Sequence, residues 1–520
     1  MYGDFRSNSA HPMALHAREL AAMGHACAAA VPSDVEAAGE LHDVRFAPVA
    51  YSQALAAPEK LFPDGRPADV VHAWTPREGV RHFVTSYLAR HAAPWVVYLE
   101  DNEEWIARSA LAMAAIPEAV LHQHTEAVIS AWTPPGMPHV LKHRAFVGLA
   151  DAAVVIQDKL KSEVPPWVPC TTVMPGVDLD LFAPRAPDAA LRERYGAKEG
   201  ERLIVYPGGL NDFTRPGLIA LCRTVQLVNR AGVPCRLLRS GPVALDFLGD
   251  FPAEAAAAIT DIGLVPRDQL PALLSLADVF VQPGKPDAFE DLRLPGKLPE
   301  LLATGRPVVL PDANIAHMLR DGVDAVLHRT GTPEEIAGKC LELFAQPERA
   351  RSIGAAGRAF ADAHFDPVAQ ASRLLDVYER ARAAFDAQAC ARVWKDATPR
   401  TPVNSLLASR LRWLAEHSTQ PPDARCLLRA HAESIEASLA RMRALETGMT
   451  ERDEHIAGVE RSLGDAREQV QEYGSLAHDF RLRFLAAEAE LEAIRASGSW
   501  KVTAPLRALA HLISSFGRRP

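Results

Sequence analysis

The 520-residue chain is poor in cysteine, and what it has is not arranged for bonding or metal. Cys27, Cys170, Cys222, Cys235, Cys340, Cys390 and Cys426 are scattered, odd in number and without a CxxC pair. That excludes a disulfide frame and a zinc site, and points to free thiols in a reducing compartment. No run of about 18 apolar residues occurs, so no membrane span is expected. The opening MYGDFRSNSAHPM has no apolar core, so no signal peptide is expected. A basic surplus is missing as well: 56 Lys and Arg face 65 Asp and Glu, a formal net charge of -9. Phosphate-backbone binding needs a basic face, so nucleic acid is excluded as the main partner. His, Cys and Asp do not cluster at ligand spacing, so neither a metal nor another cofactor is expected.

What the chain does have is alternation. Short β-branched runs at 70–73, 95–99, 153–156, 172–174, 203–206, 236–238, 279–281 and 308–310 are separated by Ala/Leu-rich stretches of helix length. Such βα alternation predicts parallel sheets wrapped in helices. The length is too great for one core, and two such sheets fit residues up to about 385, with the break in LFAPRAPDAALRERYGAKEG. The expected organisation is 1–185 and 186–385 as two domains, then 386–422 as a linker containing a short helical piece at 406–417.

Beyond it glycine thins and a heptad seam runs through Ile456, Val459, Leu463, Ala466, Val470, Tyr473, Ala477, Phe480, Phe484, Ala487, Leu491 and Ile494. Residues 423–495 therefore read as a self-associating coiled coil, or as one long helix lying on the globular part. In 496–520, Leu506, Leu509, Leu512, Ile513 and Phe516 fall on one helical face beside Lys501, Arg507, Arg518 and Arg519. This basic amphipathic tail suits an anionic membrane surface, or packs on the protein itself.

Three loops could carry chemistry. Strand 203–206 runs into Pro207-Gly208-Gly209-Leu210-Asn211, followed by Arg215 and a helix expected over 218–229. Two glycines allow a ligand close to the backbone, Arg215 offers a bidentate donor, and the helix start favours an anion; many strand-to-helix turns hold two glycines for structural reasons alone. Neither GxxxxGK[ST] nor GxGxxG is present. Arg239-Ser240-Gly241 closes another strand. The third is RLPGKLPELLATGRPVVLP, 293–311, where a helix starts near Lys297 and stops at Gly305. Its lone carboxylate, Glu300, is either an acidic residue well placed near a helix start or an acceptor for a ribose diol.

Taken in order, these segments resemble glycosyltransferase family 4. Met174-Pro175-Gly176-Val177-Asp178 through Phe182 and Pro184 resembles that family's "NGVD…F.P" phrase. Gly263-Leu264-Val265-Pro266 with Leu270, Leu274, Ala277 and Asp278 resembles "G.v…L..ll..aDv". Lys297, Glu300, Ala303, Gly305, Pro307 and Val308 resemble "K..E.mA.G.PVv". The resemblance covers about residues 10–385. It implies an α/β fold of two Rossmann-like domains facing a cleft (GT-B), followed here by a long α-helical coiled-coil tail. It implies sugar transfer from a nucleotide-diphosphate sugar, with retention, to a glycan or lipid-linked acceptor in bacterial surface polysaccharide synthesis. The alternative is an inactive GT-B glycan-binding or scaffolding protein. Donor-site residues implied are Gly208, Gly209, Asn211, Arg239, Leu294, Pro295, Gly296, Lys297 and Glu300, with Glu300 on the ribose. The family's acidic residue eight positions earlier falls on Leu292, with Glu290 and Asp291 close by to replace it; Glu290 and Arg215 are the expected catalytic residues. A cytoplasmic place, peripheral at the inner face of the plasma membrane, and a homo-oligomer formed by the coiled coil complete the expectation.

Overall fold

The computed structural model describes residues 1–113, 129–130, 132–210, 214–417 and 422–449. The chain divides into two compact units, 1–436 and 437–520. In the second, the described residues 437–449 are helical; the heptad seam from Ile456 and the tail at 496–520 lie outside the described residues.

Within the first unit the strands are β1 (Ala28–Val31), β2 (Ala47–Ala50), β3 (Val71–Trp74), β4 (Trp95–Leu99), β5 (Ala152–Val155), β6 (Cys170–Thr172), β7 (Arg202–Pro207), β8 (Cys235–Ser240), β9 (Ile259–Gly263), β10 (Val279–Val281), β11 (Val308–Pro311) and β12 (Val326–His328). The helices used below are α1 (Ala10–Ala22), α2 (Arg215–Arg230), α3 (Ala288–Leu292), α4 (Leu298–Ala303), α5 (Pro367–Ala383), α6 (Ala387–Trp394), α7 (Val403–His417) and α8 (Pro422–Met449). The sheets are ordered β1-β2, β3-β4-β5-β6 and β12-β11-β10-β7-β8-β9, and every pair is parallel.

The central strands read as unbroken apolar runs because helices cover both faces. Leu203, Ile204, Val205 and Tyr206 of β7 are all buried. Helix α2 presents Leu218, Leu221, Cys222, Val225 and Val228, spaced three and four apart, to the core and packs on the helix Pro333–Ala345.

Two expectations about organisation are corrected. Helix α5, placed at the end of the second domain, instead packs on α1 and on β4 and β5 of the first. The chain returns beside its earlier crossing: the Val177 amide donates to the Phe365 carbonyl at 2.9 Å. The Met174 amide donates to Gln370 Oε1 at 3.0 Å. Gly176 is required there, since a Cβ would lie 3.0 Å from Pro367 and from Leu15. The second correction concerns 386–422. It is no open linker, for Trp394, Leu406, Leu407, Leu411 and Ala415 are buried in the main core. Trp394 meets Trp95 edge-on at 6.1 Å, and Arg410 pairs with Asp151 at 2.6 Å. The start of α8, expected to open the coiled coil, buries Leu428 and Ala432 in that core too.

Candidate functional site

The order of the six-stranded sheet reverses between β7 and β10. In open parallel sheets the crevice outside the carboxyl ends at such a point receives ligands. Here β7 runs into Gly208-Gly209 and β10 into Gln282-Pro283-Gly284.

Gly208 is hemmed in. A Cβ on it would lie 2.5 Å from Tyr206 Cε1 and 2.7 Å from Lys297 Nζ. Lys297 Nζ donates to the Tyr206 hydroxyl at 2.8 Å and sits 4.0 Å above its ring. The Gly208 amide donates to the Ser240 carbonyl at 2.8 Å, so the glycine contributes closeness of approach, not that donor. Among the described residues a Cβ on Gly209 meets nothing within 4 Å. The Gly209 carbonyl accepts from Thr214 Oγ1 at 2.9 Å, tying the loop to the start of α2.

Glu290 stands at the same crevice. It is buried in α3, and a Cβ on Gly284 would lie 3.2 Å from its carboxyl carbon. Arg293 Nη1 donates to Oε1 at 3.0 Å, while buried Oε2 has no partner among the described residues. Burial raises its carboxyl above the usual range, against the pull of the Arg293 and Lys297 charges. Gln282 Oε1 and Gln157 Oε1 are likewise buried without a partner among the described residues. Orphaned polar atoms of this kind are costly unless a ligand or water completes them.

Glu300 lies in the first turn of α4, and Arg267 Nη2 donates to its Oε1 at 2.7 Å. Helix α4 has six residues, so its dipole is small and the carboxylate-arginine pair is the stronger local feature. Arg267, unread in the sequence, follows β9; beside His11 at the start of α1, its charge adds to the burial that holds that imidazole down at about 4.

Several expected site residues have other employment. Arg239 is fully buried: its guanidinium donates to the Gly208 carbonyl at 2.9 Å and to Asp261 at 3.0 Å, and it also holds the Val243 carbonyl. It positions the glycine loop, and its Nη2, beside Gly241, is buried without a partner among the described residues. Arg215 pairs with Asp246 at 2.6 Å and lies 5.2 Å over the Phe247 ring; both partners are well exposed, so the pair is weak and exchangeable. Leu294 and Pro295 are buried, and the Pro295 carbonyl accepts from the Leu298 amide at 2.8 Å. Gly296 is exposed at the entry of α4. Asn211 lies outside the described residues.

The first domain brings a second polar group to the carboxyl ends of β3 and β4. Glu100 accepts from Trp74 Nε1 at 2.7 Å and is also bonded to Ser9 Oγ. Burial, aided by the neighbouring Asp101 charge, pushes its carboxyl up to about 7. Arg77, 3.8 Å over the Tyr2 ring, pairs with Glu103 at 3.4 Å. Thr75 holds φ 72°, a left-handed strain rare outside glycine and frequent at functional sites. Contacts cross from α3 to this domain: Trp105 stacks on Phe289 at 3.9 Å, Lys159 pairs with Asp291, and Gln157 Nε2 donates to the Asp291 carbonyl at 2.7 Å.

A family model described as Glycosyl transferases group 1 matches residues 201–346. That span contains all six strands of the larger sheet and the Gly208-Gly209 loop, and this part of the chain is similar to group 1 glycosyltransferase domains. The D-inositol 3-phosphate glycosyltransferase of Thermobispora bispora is 28% identical over 224 residues, 41% of this chain and 50% of that protein. The chain spans about half the length of the curated relatives it matches. Among solved structures, a glycosyltransferase from Rickettsia africae aligns with a TM-score of 0.52 at 13% identity, over 73% of this chain and 96% of that one. Anabaena HepE in complex with UDP-glucose aligns with a TM-score of 0.52 at 12% identity, over 71% of this chain and 95% of that one. At such identity the likeness is one of fold, and the fold is GT-B-like, with parallel sheets.

Proposed function

We propose that the protein transfers a sugar from a nucleotide-diphosphate sugar to a glycan or lipid-linked acceptor. The observation that carries the reading is the crevice at the β7/β10 reversal, where Gly208, Lys297 and the unpartnered oxygen of Glu290 converge. A diphosphate seated on the glycine loop meets the Lys297 ammonium; departure of the leaving group builds negative charge there, which that cation stabilises. Glu290 is suited to hold a donor-sugar hydroxyl through Oε2, and Glu300, steadied by Arg267, to accept from the ribose diol. Val243 and Leu264, exposed on the loops after β8 and β9, offer an apolar shelf for a planar base. Approach of the two domains excludes water as a competing acceptor. The family resemblance supports retention at the anomeric centre and a role in bacterial surface polysaccharide synthesis, at the inner face of the plasma membrane. Among the described residues no helix is long and apolar enough to cross a membrane. Self-association through the heptads belongs to the same reading, now with the tail beginning after Glu436.

A thermal-shift panel of UDP-, GDP-, ADP- and dTDP-sugars tests the proposal, because a ligand bound only by the native state raises the melting temperature. One nucleotide class should stabilise the protein, and Glu290→Gln should weaken its sugar form more than the free diphosphate. Silence across the panel would favour the scaffold reading.

A further inference from the structure

Helix α3, which carries Glu290, has five residues. A helix far shorter than about 12 residues does not hold itself in water, so what fixes α3 lies outside it. Its first turn is closed by Asp287, whose Oδ1 accepts from the Phe289 amide at 3.0 Å and the Glu290 amide at 2.9 Å. That cap shapes the turn but does not set the direction in which the helix faces.

Side chains of the first domain supply the direction. Trp105 stacks on Phe289 with ring centroids 3.9 Å apart and 27° between planes. Gln157, fully buried, donates through Nε2 to the Asp291 carbonyl at 2.7 Å; a carbonyl in the last turn of a helix has no partner within the helix. Lys159 pairs with the Asp291 carboxylate, but both are part-exposed and the pair adds little. The two strong contacts thus flank Glu290, at 289 and 291, and stop the helix from turning about its axis. Phe289 passes the constraint on, because the Arg293 guanidinium lies 5.1 Å over the same ring and donates to Glu290 Oε1 at 3.0 Å. With Oε1 so engaged, buried Oε2, unpartnered among the described residues, is the oxygen left for a ligand. Gly208 and Lys297 are held separately, by Ser240 and Tyr206. On the first-domain side Trp105 lies in helix Glu103–Met113, its amide donating to Asn102 Oδ1 at 2.9 Å. It stands two residues after Glu103, the partner of Arg77.

We infer that Trp105 and Gln157 are positioning residues for Glu290. The first domain clasps α3 and aims its carboxylate, so the sugar of the donor is gripped only while the two domains are together. The diphosphate is held by the second domain alone. The inference rests on the reading of Glu290 as the donor-sugar contact.

Gln157→Glu keeps the side-chain volume and removes the donor to the Asp291 carbonyl; Trp105→Ala removes the stack, and Trp105→Phe keeps it. Calorimetric titration with UDP-glucose and UDP, or with the matching pair of the class the thermal-shift panel selects, reads the ratio of the two affinities. Gln157→Glu and Trp105→Ala should each weaken the sugar form about tenfold and change the free diphosphate less than about twofold. Trp105→Phe should restore most of the difference. In a Glu290→Gln background neither substitution should narrow the ratio further, because each acts through that carboxylate. Equal loss for both ligands, or full additivity with Glu290→Gln, overturns the inference. A second measurement needs no nucleotide. Amide exchange at Glu290 and Asp291 should quicken by about tenfold or more in Gln157→Glu and in Trp105→Ala; unchanged exchange overturns the clasp. If no nucleotide binds the unsubstituted protein, the proposed function fails, and exchange alone still decides whether the first domain holds α3.

Discussion

Replacing Gly208 by alanine is the sharpest perturbation of the proposed donor site. The added methyl would lie 2.5 Å from Tyr206 Cε1 and 2.7 Å from Lys297 Nζ, about 1 Å inside ordinary carbon contact. Tyr206 is buried at 1% exposure and cannot swing away, so Lys297 must leave the Tyr206 hydroxyl or the loop must move. Overpacking of this sort costs about 1–3 kcal/mol, which at about 2–4 °C per kcal/mol lowers the melting temperature measurably. Nucleotide affinity should fall about tenfold, since the same step moves the ammonium that faces the diphosphate. Gly209→Ala is the control, because among the described residues its Cβ meets nothing within 4 Å. It should leave the melting temperature unchanged and still weaken the nucleotide, if the donor lies beside that carbon. Calorimetric titration with UDP, or with whichever diphosphate the panel selects, measures both. A Gly208→Ala protein with unaltered melting and affinity, or a Gly209→Ala protein that binds normally, would refute the placement of the donor.

Glu300→Ala should weaken nucleotide diphosphate binding several-fold while shifting the melting temperature little, because the half-buried Arg267 it releases can reach water; unchanged affinity in titration would reject the ribose role. Glu100 has a folded-state value of about 7 against an ordinary 4.5, so its contribution is full below pH ~4.5 and is lost as pH rises through about 7. Glu100→Gln should flatten that fall, which approaches ~1.4 kcal/mol per pH unit in the window, in denaturant melts taken from pH 4.5 to 8. Trp394→Ala should destabilise the first unit by about 3–5 kcal/mol, seen in the same melts; a neutral result would restore the linker reading of 386–422. Truncation after Glu436 should lower the mass found by light scattering if the heptads self-associate.

Much of the parallel architecture was legible, and the failures have physical causes. Residues 95–99 and 279–281 form strands with the expected bounds because WVVYL and VFV are, but for Leu99, β-branched or aromatic and are buried on both faces. Strands β1 and β2, AAAV and APVA, were missed, since alanine and proline carry no strand preference. The prolines around 399–422 read as linker punctuation, yet the apolar spacing of Val393, Trp394, Leu406, Leu407 and Leu411 was the signal of a packed pair of helices. At the site, the glycine loop and Lys297 were legible as a motif. The burial of Arg239 was not, because Asp261 is 22 residues away in sequence and only the β8–β9 pairing brings it near. Arg267 was missed for the same reason, lying 33 residues from Glu300. Polar residues just after strands β3 and β4, in Thr75-Pro76-Arg77 and Glu100-Asp101, were the available sign of the first domain's buried polar group.

Because α5, α6 and α7 travel back over the first domain, the polypeptide passes between the two lobes twice, near Gly176 and near Phe365, and those passages are hydrogen-bonded side by side. Such a two-ply joint behaves like a door on a single pin: the lobes can swing about the line through it, but sliding or twisting would tear both plies together. One severed passage would therefore leave the halves still fastened by the other.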